Sequence, residues 1–286
     1  MKITTLIENS QDDLKVLKNE HGLSMFIQTT NCNILFDTGK SGDFIDNAKK
    51  LNINISKTDI IVLSHAHYDH CGGIKRFIEN FNIRPQLFIG EDFFKNSDRY
   101  HYSDGKLKTD FSNETGYTYV GIDFNESYLK SNRIPINFVR TSVTEISENI
   151  YICSNFNKYH SFEKANESMQ IKVGDKYITD SFSDEIALVL DTPKGLLILL
   201  GCSHPGVLNM VTTISETFQK KVLGVVGGTH LVEADNDRIK KSIEYFNDLD
   251  ISMVGVSHCT GEKAVELFAE GCKGFFINKT GTVIEI

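Results

Sequence analysis

Short apolar runs alternate with polar turns at both ends of the chain, and the middle follows a different pattern. Residues 22–28 and 33–36 read as paired strands around a polar turn, ending in Asp37-Thr38-Gly39. Ser41 or Asp43 can cap a helix running to Leu51, with Phe44, Ile45 and Ala48 on one face. A short strand over 59–63 leads into a histidine-rich turn. Ile74, Phe77 and Ile78 then mark a helix over 73–81. The same rhythm returns from Glu185. A hairpin is expected from 186–190 and 195–200 around Thr192-Pro193-Lys194-Gly195, with later helix faces at Ile239, Ile243, Phe246 and at Val265, Phe268. Residues 92–183 are rich in Asn, Ser, Lys and aromatics and show weak periodicity apart from strand-like pieces such as 149–153. A span of that kind reads as an insertion, a lid or a binding loop.

One pattern recurs through the regular parts: an apolar strand runs into a turn that carries histidine. It occurs in IVLSHAHYDHCGG (61–73), LLILLGCSHPG (196–206), VLGVVGGTHL (222–231) and ISMVGVSHCTG (251–261). In sheets with helical crossovers the strand C-terminal ends collect at one edge, where ligands bind. His65, His67, His70, His204, His230 and His258 are therefore expected to converge. The first instance is the sharpest. In Ser64-His65-Ala66-His67-Tyr68-Asp69-His70 the i, i+2 spacing puts His65 and His67 on one face of extended chain. Asp69 and His70 follow where the chain turns into a helix, and Gly72-Gly73 permits close backbone approach. Imidazoles with a carboxylate suit zinc, iron or manganese.

Composition narrows the class. The chain has 286 residues, 40% of them hydrophobic, and a formal net charge of −8. A chain of that length buries a large core unaided, and its aromatic content argues against disorder. The acidic balance argues against a general nucleic-acid binder. No apolar run is longer than 196–200, too short for a membrane span, and Glu8 interrupts any signal-peptide core, so no membrane association and a cytoplasmic location are expected. Six cysteines are too sparse for a disulfide scaffold, but Cys71, Cys202 and Cys259 each fall within two residues of a histidine. His21, His101 and His160 lack motif support and read as surface or loop residues.

His-x-His-x-Asp-His after an apolar strand, preceded by ILFDTG (34–39), resembles the metallo-β-lactamase superfamily. The motifs GCSHPG (201–206), GGTHL (227–231) and SHCTG (257–261) are similar to its branch labelled dihydropterin-ribofuranosylaminobenzene-phosphate synthase-like. The resemblance implies an α/β fold, a four-layer αβ/βα sandwich over one domain, 1–286, with an insertion or lid at about 92–183. It also implies a divalent metal cofactor, two zinc ions or else manganese or iron. His65 and His67 would bind the first ion, Asp69 with His70 the second, and His258 would be the final histidine ligand. Asp37 would orient a metal-bound histidine from behind.

Two departures from the family pattern bear on the site. Many relatives carry Gly-Asp where this chain has Gly201-Cys202, and a ligand histidine near the segment that here reads Asp180-Ser181-Phe182-Ser183-Asp184-Glu185. His204 is expected to replace that histidine, and Cys202 or a carboxylate from Asp180, Asp184 or Glu185 to complete the site. His230 stands between a substrate-facing role and ligation.

The chemistry such a site supports is hydrolysis by metal-activated water, with Asp69 or a nearby histidine moving the proton. A small-molecule phosphoester or phosphodiester bearing a ring, pterin-like or nucleotide-like, is the expected substrate. Acyl hydrolysis of a thioester, lactone or β-lactam is the alternative, and a non-catalytic metal-containing ligand binder a third reading. Phe93, Phe94, Tyr100, Tyr102, Phe111, Tyr117, Tyr119, Phe156, Tyr159 and Phe162 can stack on such a ring or form the insertion's own core. Lys158, Lys164, Lys172 and Lys176 can hold a phosphate or simply face solvent. A homodimer is compatible with the sequence.

Overall fold

Two seven-stranded sheets stack face to face in a computed structural model that describes residues 1–105 and 115–286. The first sheet runs, in spatial order, Val283–Glu285, Lys2–Ile7, Ser24–Gln28, Asn33–Phe36, Ile60–Val62, Gln86–Gly90 and Ile136–Val139. The second runs Phe275–Ile277, Met253–Ser257, Val222–Gly228, Gly195–Leu200, Ala187–Thr192, Ile150–Cys153 and Val143–Ser147. Their facing sides bury Ile27, Ile34, Phe36 and Val62 against Leu188, Leu190, Leu197, Leu199 and Val226.

Each sheet is covered on its outer side by helices, so the strands are buried on both faces and read as continuous apolar runs rather than alternating ones. Leu197 and Leu199 point inward between the sheets, while Leu196, Ile198 and Leu200 meet the helices Val207–Phe218, Asn236–Asp248 and Glu262–Gly271 through Leu208, Val211, Ile239 and Phe268. On the other side Leu35, Ile61 and Leu87 pack on Phe44 and Ala48 of Phe44–Lys50 and on Ile74 and Phe77 of Ile74–Asn80. Each Leu, Ile, Val or Phe side chain among them contributes about 1.5–3 kcal/mol on burial. The result is the four-layer αβ/βα sandwich. Among the described residues no helix is long and apolar enough to cross a membrane.

The span 92–183 is not one insertion. Ile136–Val139 closes an edge of the first sheet, and Val143–Ser147 with Ile150–Cys153 closes an edge of the second. The outermost strands Ile136–Val139 and Val143–Ser147 are half-buried and carry polar residues, which is why their sequence lacks a continuous apolar signal. Ile150–Cys153, by contrast, lies inside the second sheet and is largely buried. What stands apart is a four-stranded antiparallel sheet, Lys176–Thr179, Met169–Val173, Arg99–Ser103 and Gly116–Tyr119. Tyr100, Tyr102, Tyr117, Tyr119 and Tyr177 cluster on it, with Tyr117 and Tyr177 stacked at 3.8 Å. Phe93 and Phe94 join the core of the first sheet and its helices, and Phe156 and Phe162 that of the second. Phe111 lies outside the described residues.

Candidate metal centre

The strand C-terminal ends of both sheets meet at one edge, and the predicted histidines meet there too. Ile60–Val62 delivers His65 and His67, and the short helix Tyr68–Cys71 delivers Asp69 and His70. Gly72 and Gly73 have ordinary negative φ; their role is space, since a Cβ would stand 2.1 Å from the Lys40 and Thr38 carbonyl oxygens respectively. Gly195–Leu200 leads to Cys202 and His204, Val222–Gly228 to His230, and Met253–Ser257 to His258. Several residues at this edge hold positive φ without being glycine: Asp37 (57°), Phe182 (49°), Ser203 (65°), His230 (49°) and His258 (53°).

The donor atoms form two main groups that overlap, since His65 also stands with His70 and Cys202. His65 Nε2 lies 3.0 Å from His67 Nδ1, and His204 completes a set whose ligand atoms lie within 4.8 Å of one another. In the second group His70 Nε2 lies 3.1 Å from both Cys202 Sγ and His258 Nε2. Asp69 Oδ2 is 3.1 Å from His258 Nε2 and 3.9 Å from His70 Nε2. Donors bound at about 2.0–2.1 Å around one tetrahedral ion stand roughly 3.3 Å apart, so both groups have the right spacing for an ion. Both ring nitrogens of His204 are buried without a hydrogen-bond partner among the described residues. Burying such atoms unpaired is costly, which is a second sign that this donor set fits a metal.

Hydrogen bonds fix which nitrogens face inward. Asp37 is fully buried; it accepts from Ser64 N at 2.7 Å and from Ser64 Oγ at 2.8 Å, and its Oδ2 lies 2.6 Å from His70 Nδ1. With its one proton given to Asp37, Ser64 Oγ accepts from His65 Nδ1 at 2.9 Å, leaving His65 Nε2 bare. Asn9 Oδ1 accepts from His258 Nδ1 at 2.9 Å in the same way.

Electrostatics follow burial. Desolvation, then the neighbouring imidazoles and Arg99, hold His65, His67 and His204 well below the ordinary imidazole range, so they are neutral and ready to ligate. His70 is the opposite: burial lowers it, but the Asp37 and Asp69 carboxylates outweigh that and raise it to about 9. Asp69 is held well below the usual carboxylate range by His70, His21 and His258, against its burial. Burial pushes the Cys202 thiol up, so ionising it requires a cation beside it.

The remaining expectations divide. Of the candidates to complete the site, Cys202 joins the donor groups and the three carboxylates do not. Asp180 and Asp184 are tied to the buried Arg99, with Arg99 Nε donating to Asp180 at 2.6 Å and Nη2 to Asp184 at 2.5 Å. Glu185 accepts backbone N–H bonds from Ser203 at 2.6 Å and His204 at 2.9 Å, and burial raises it to about 8. These carboxylates brace the loops that carry the ligands. His230 lies with its ring 4.2 Å from His204 and belongs to neither group; burial lowers it to about 4. His101 is buried in the four-stranded sheet beside Glu233, and His160 contacts Thr212.

His21 was not legible as a site residue. Leu23 N–H donates to the Asp69 carbonyl, and this pairing brings His21 Nε2 to 3.1 Å from Asp69 Oδ2, in a set with His258. A single histidine before a strand gives no pattern from which to find it. Cys259 also enters the cluster, within reach of Cys202 and His258; its only sequence signal is adjacency to a histidine.

Comparison with known proteins agrees with this geometry. The sequence model of the metallo-beta-lactamase superfamily matches residues 18–141. The chain is 32% identical over 294 residues to 7,8-dihydropterin-6-methyl-4-(beta-D-ribofuranosyl)-aminobenzene-5'-phosphate synthase of Methanocaldococcus jannaschii, covering 96% of this chain and 93% of that one. An uncharacterised protein of the same organism is 30% identical over 286 residues, covering 99% of this chain and all of that one. Among solved structures, a metal-dependent hydrolase of the beta-lactamase superfamily superposes with a TM-score of 0.82 at 30% identity, covering 100% of this chain and 99% of that one. The chain belongs to the metallo-beta-lactamase superfamily.

Proposed function

We propose that the protein is a metal-dependent hydrolase of a phosphoester or phosphodiester carried by a ring-bearing small molecule, pterin-like or nucleotide-like. The observation that carries this reading is the pair of donor groups at the sheet edge, in which both ring nitrogens of His204 are buried without a hydrogen-bond partner among the described residues. Nitrogen donors with a thiolate favour zinc, and two ions are proposed, one per group. A bound divalent ion supplies a water of pKa about 7 and polarises the substrate oxygen. The chain's own groups do the rest. Asp37, Ser64 and Asn9 hold the ligand rings in register, as described above. Asp69 Oδ2 lies 3.1 Å from both His21 and His258 and is held ionised, so it is disposed to accept a hydrogen bond from the attacking water and orient it. His230 is neutral and lines the same small cavity as Asp69, where it can donate a hydrogen bond to a substrate oxygen.

Two observations support the substrate class. The name of the relative at 32% identity contains a dihydropterin and a 5'-phosphate. Beside His204 a cavity of about 250 Å³ is lined by Phe156 and Lys158, among others, which offer an aromatic ring and a cation. That relative is called a synthase, so transfer to an acceptor other than water is a second reading, favoured by the burial of the site.

The test is turnover by zinc- and manganese-loaded protein on aryl phosphate monoesters, aryl phosphodiesters, thioesters and lactones. Phosphodiester or monoester cleavage lost in Asp69→Asn is expected. Cleavage confined to the acyl substrates would overturn the phosphoester reading. Tight pterin or nucleotide binding without any turnover would favour the transfer reading or a non-catalytic role.

A further inference from the structure

Every ligand imidazole but two has a hydrogen bond behind it. His65 has Ser64, His70 has Asp37 and His258 has Asn9. His67 Nε2 and both nitrogens of His204 have none among the described residues. A metal-binding histidine without that rear bond needs another device to fix its ring. His204 lies flat on Phe182, with ring centroids 3.6 Å apart and planes within 5°. Phe182 also meets Arg99, whose guanidinium carbon is 4.8 Å from the ring centroid. The His67 ring meets the edge of the same phenyl at 5.5 Å and 90°.

Arg99 is fixed in turn. It is 1% exposed, and its fork is held by Asp180 and by both oxygens of Asp184. Asp180 Oδ1 accepts the Phe182 N–H at 2.8 Å and so holds Phe182 in its left-handed conformation. Asp184 Oδ2 accepts the Ala66 N–H at 3.0 Å, between His65 and His67. One guanidinium, supplied by the four-stranded sheet, therefore reaches all three imidazoles of the first group.

We infer that Arg99 and Phe182 are positioning residues for the ion held by His65, His67 and His204: stacking and a buried ion pair orient these rings in place of rear hydrogen bonds. The inference rests on the metal-dependent reading above. Its test is titration of metal-free protein with cobalt(II), followed by absorbance, for wild type, Phe182→Leu, Phe182→Tyr, Arg99→Lys and the double variant His65→Ala/His67→Ala. Loss of an orienting partner typically weakens metal affinity about 10- to 100-fold. Phe182→Leu and Arg99→Lys should weaken the cobalt of the His65–His67–His204 group by that factor. The cobalt that shows thiolate absorption from Cys202 should keep its affinity, and Phe182→Tyr, which keeps the ring, should bind both as wild type does. If Arg99→Lys does not fold, Phe182→Leu decides. Wild-type affinity for both ions in Phe182→Leu, or equal weakening of both, would overturn the inference. Undiminished cobalt binding by His65→Ala/His67→Ala would instead sink the metal reading on which it rests.

Discussion

Asp37→Asn probes the buried support of the centre with almost no change of shape. Asparagine tolerates the left-handed backbone at this position, where φ is 57°. What changes is the hydrogen-bond arithmetic. Asp37 Oδ1 takes the Ser64 N–H, and Oδ2 takes the Ser64 hydroxyl and His70 Nδ1. An amide has one acceptor oxygen. If that oxygen replaces Oδ2, the NH2 group faces the Ser64 N–H, donor against donor. If it replaces Oδ1, the NH2 group faces His70 Nδ1 and forces the ring proton onto Nε2, the atom aimed at Cys202 and His258. Either way a buried charged pair is broken, which costs roughly 3–5 kcal/mol. In metal-free protein at pH 6 this should lower Tm by on the order of 10 °C.

The pH dependence makes the test specific. His70 in the fold is raised from its ordinary 6.5 to about 9, which corresponds to about 3 kcal/mol. Because the folded value lies above the unfolded one, that stability is fully present below pH 6.5 and is lost as pH rises through 9. Asp37→Asn removes the largest source of it, so the gap between wild type and variant should narrow by up to about 3 kcal/mol between pH 6 and pH 9.5. The assay is thermal unfolding in the presence of chelator across that range. A gap below about 2 °C at pH 6, or one unchanged at pH 9.5, would refute the assignment of Asp37 as the support of His70.

Other outcomes follow from the same contacts. Cys202→Ser should abolish the near-ultraviolet thiolate absorption of cobalt-loaded protein and weaken one bound ion, read by titration, because Cys202 Sγ lies 3.1 Å from His70 Nε2. His21→Ala should weaken the Asp69–His258 group about 10- to 100-fold while leaving the His65–His67 ion in place, measured by competition with a chromophoric chelator. Gly73→Ala should cost about 1–3 kcal/mol or more in thermal unfolding, since its Cβ would meet the Thr38 carbonyl oxygen at 2.1 Å.

The histidines at strand ends were legible because strand direction, helix crossover and the short spacing from His65 to His70 leave little freedom in where those rings go. The central strands were legible for a related reason: burial on both faces imposes runs such as Gly195–Leu200. The edge strands Ile136–Val139 and Val143–Ser147 were hidden because half-buried edges tolerate polar residues. His21 and Arg99 were hidden for a different reason. Each is a lone polar residue whose role exists only through distant partners: Asp69 for His21, Asp180 and Asp184 for Arg99. The three carboxylates near 180–185 were found as site residues by position, but their role as braces depends on an arginine some eighty residues earlier, and no local pattern carries that link.

The central claim is that the sheet edge holds metal through His65 and His67. Elemental analysis of protein purified without chelator, for wild type and His65→Ala/His67→Ala side by side, tests it most directly. Two divalent ions per chain in wild type, with at least one lost in the variant, is the predicted result. No bound metal in wild type even after reconstitution, or equal content in both proteins, would contradict it.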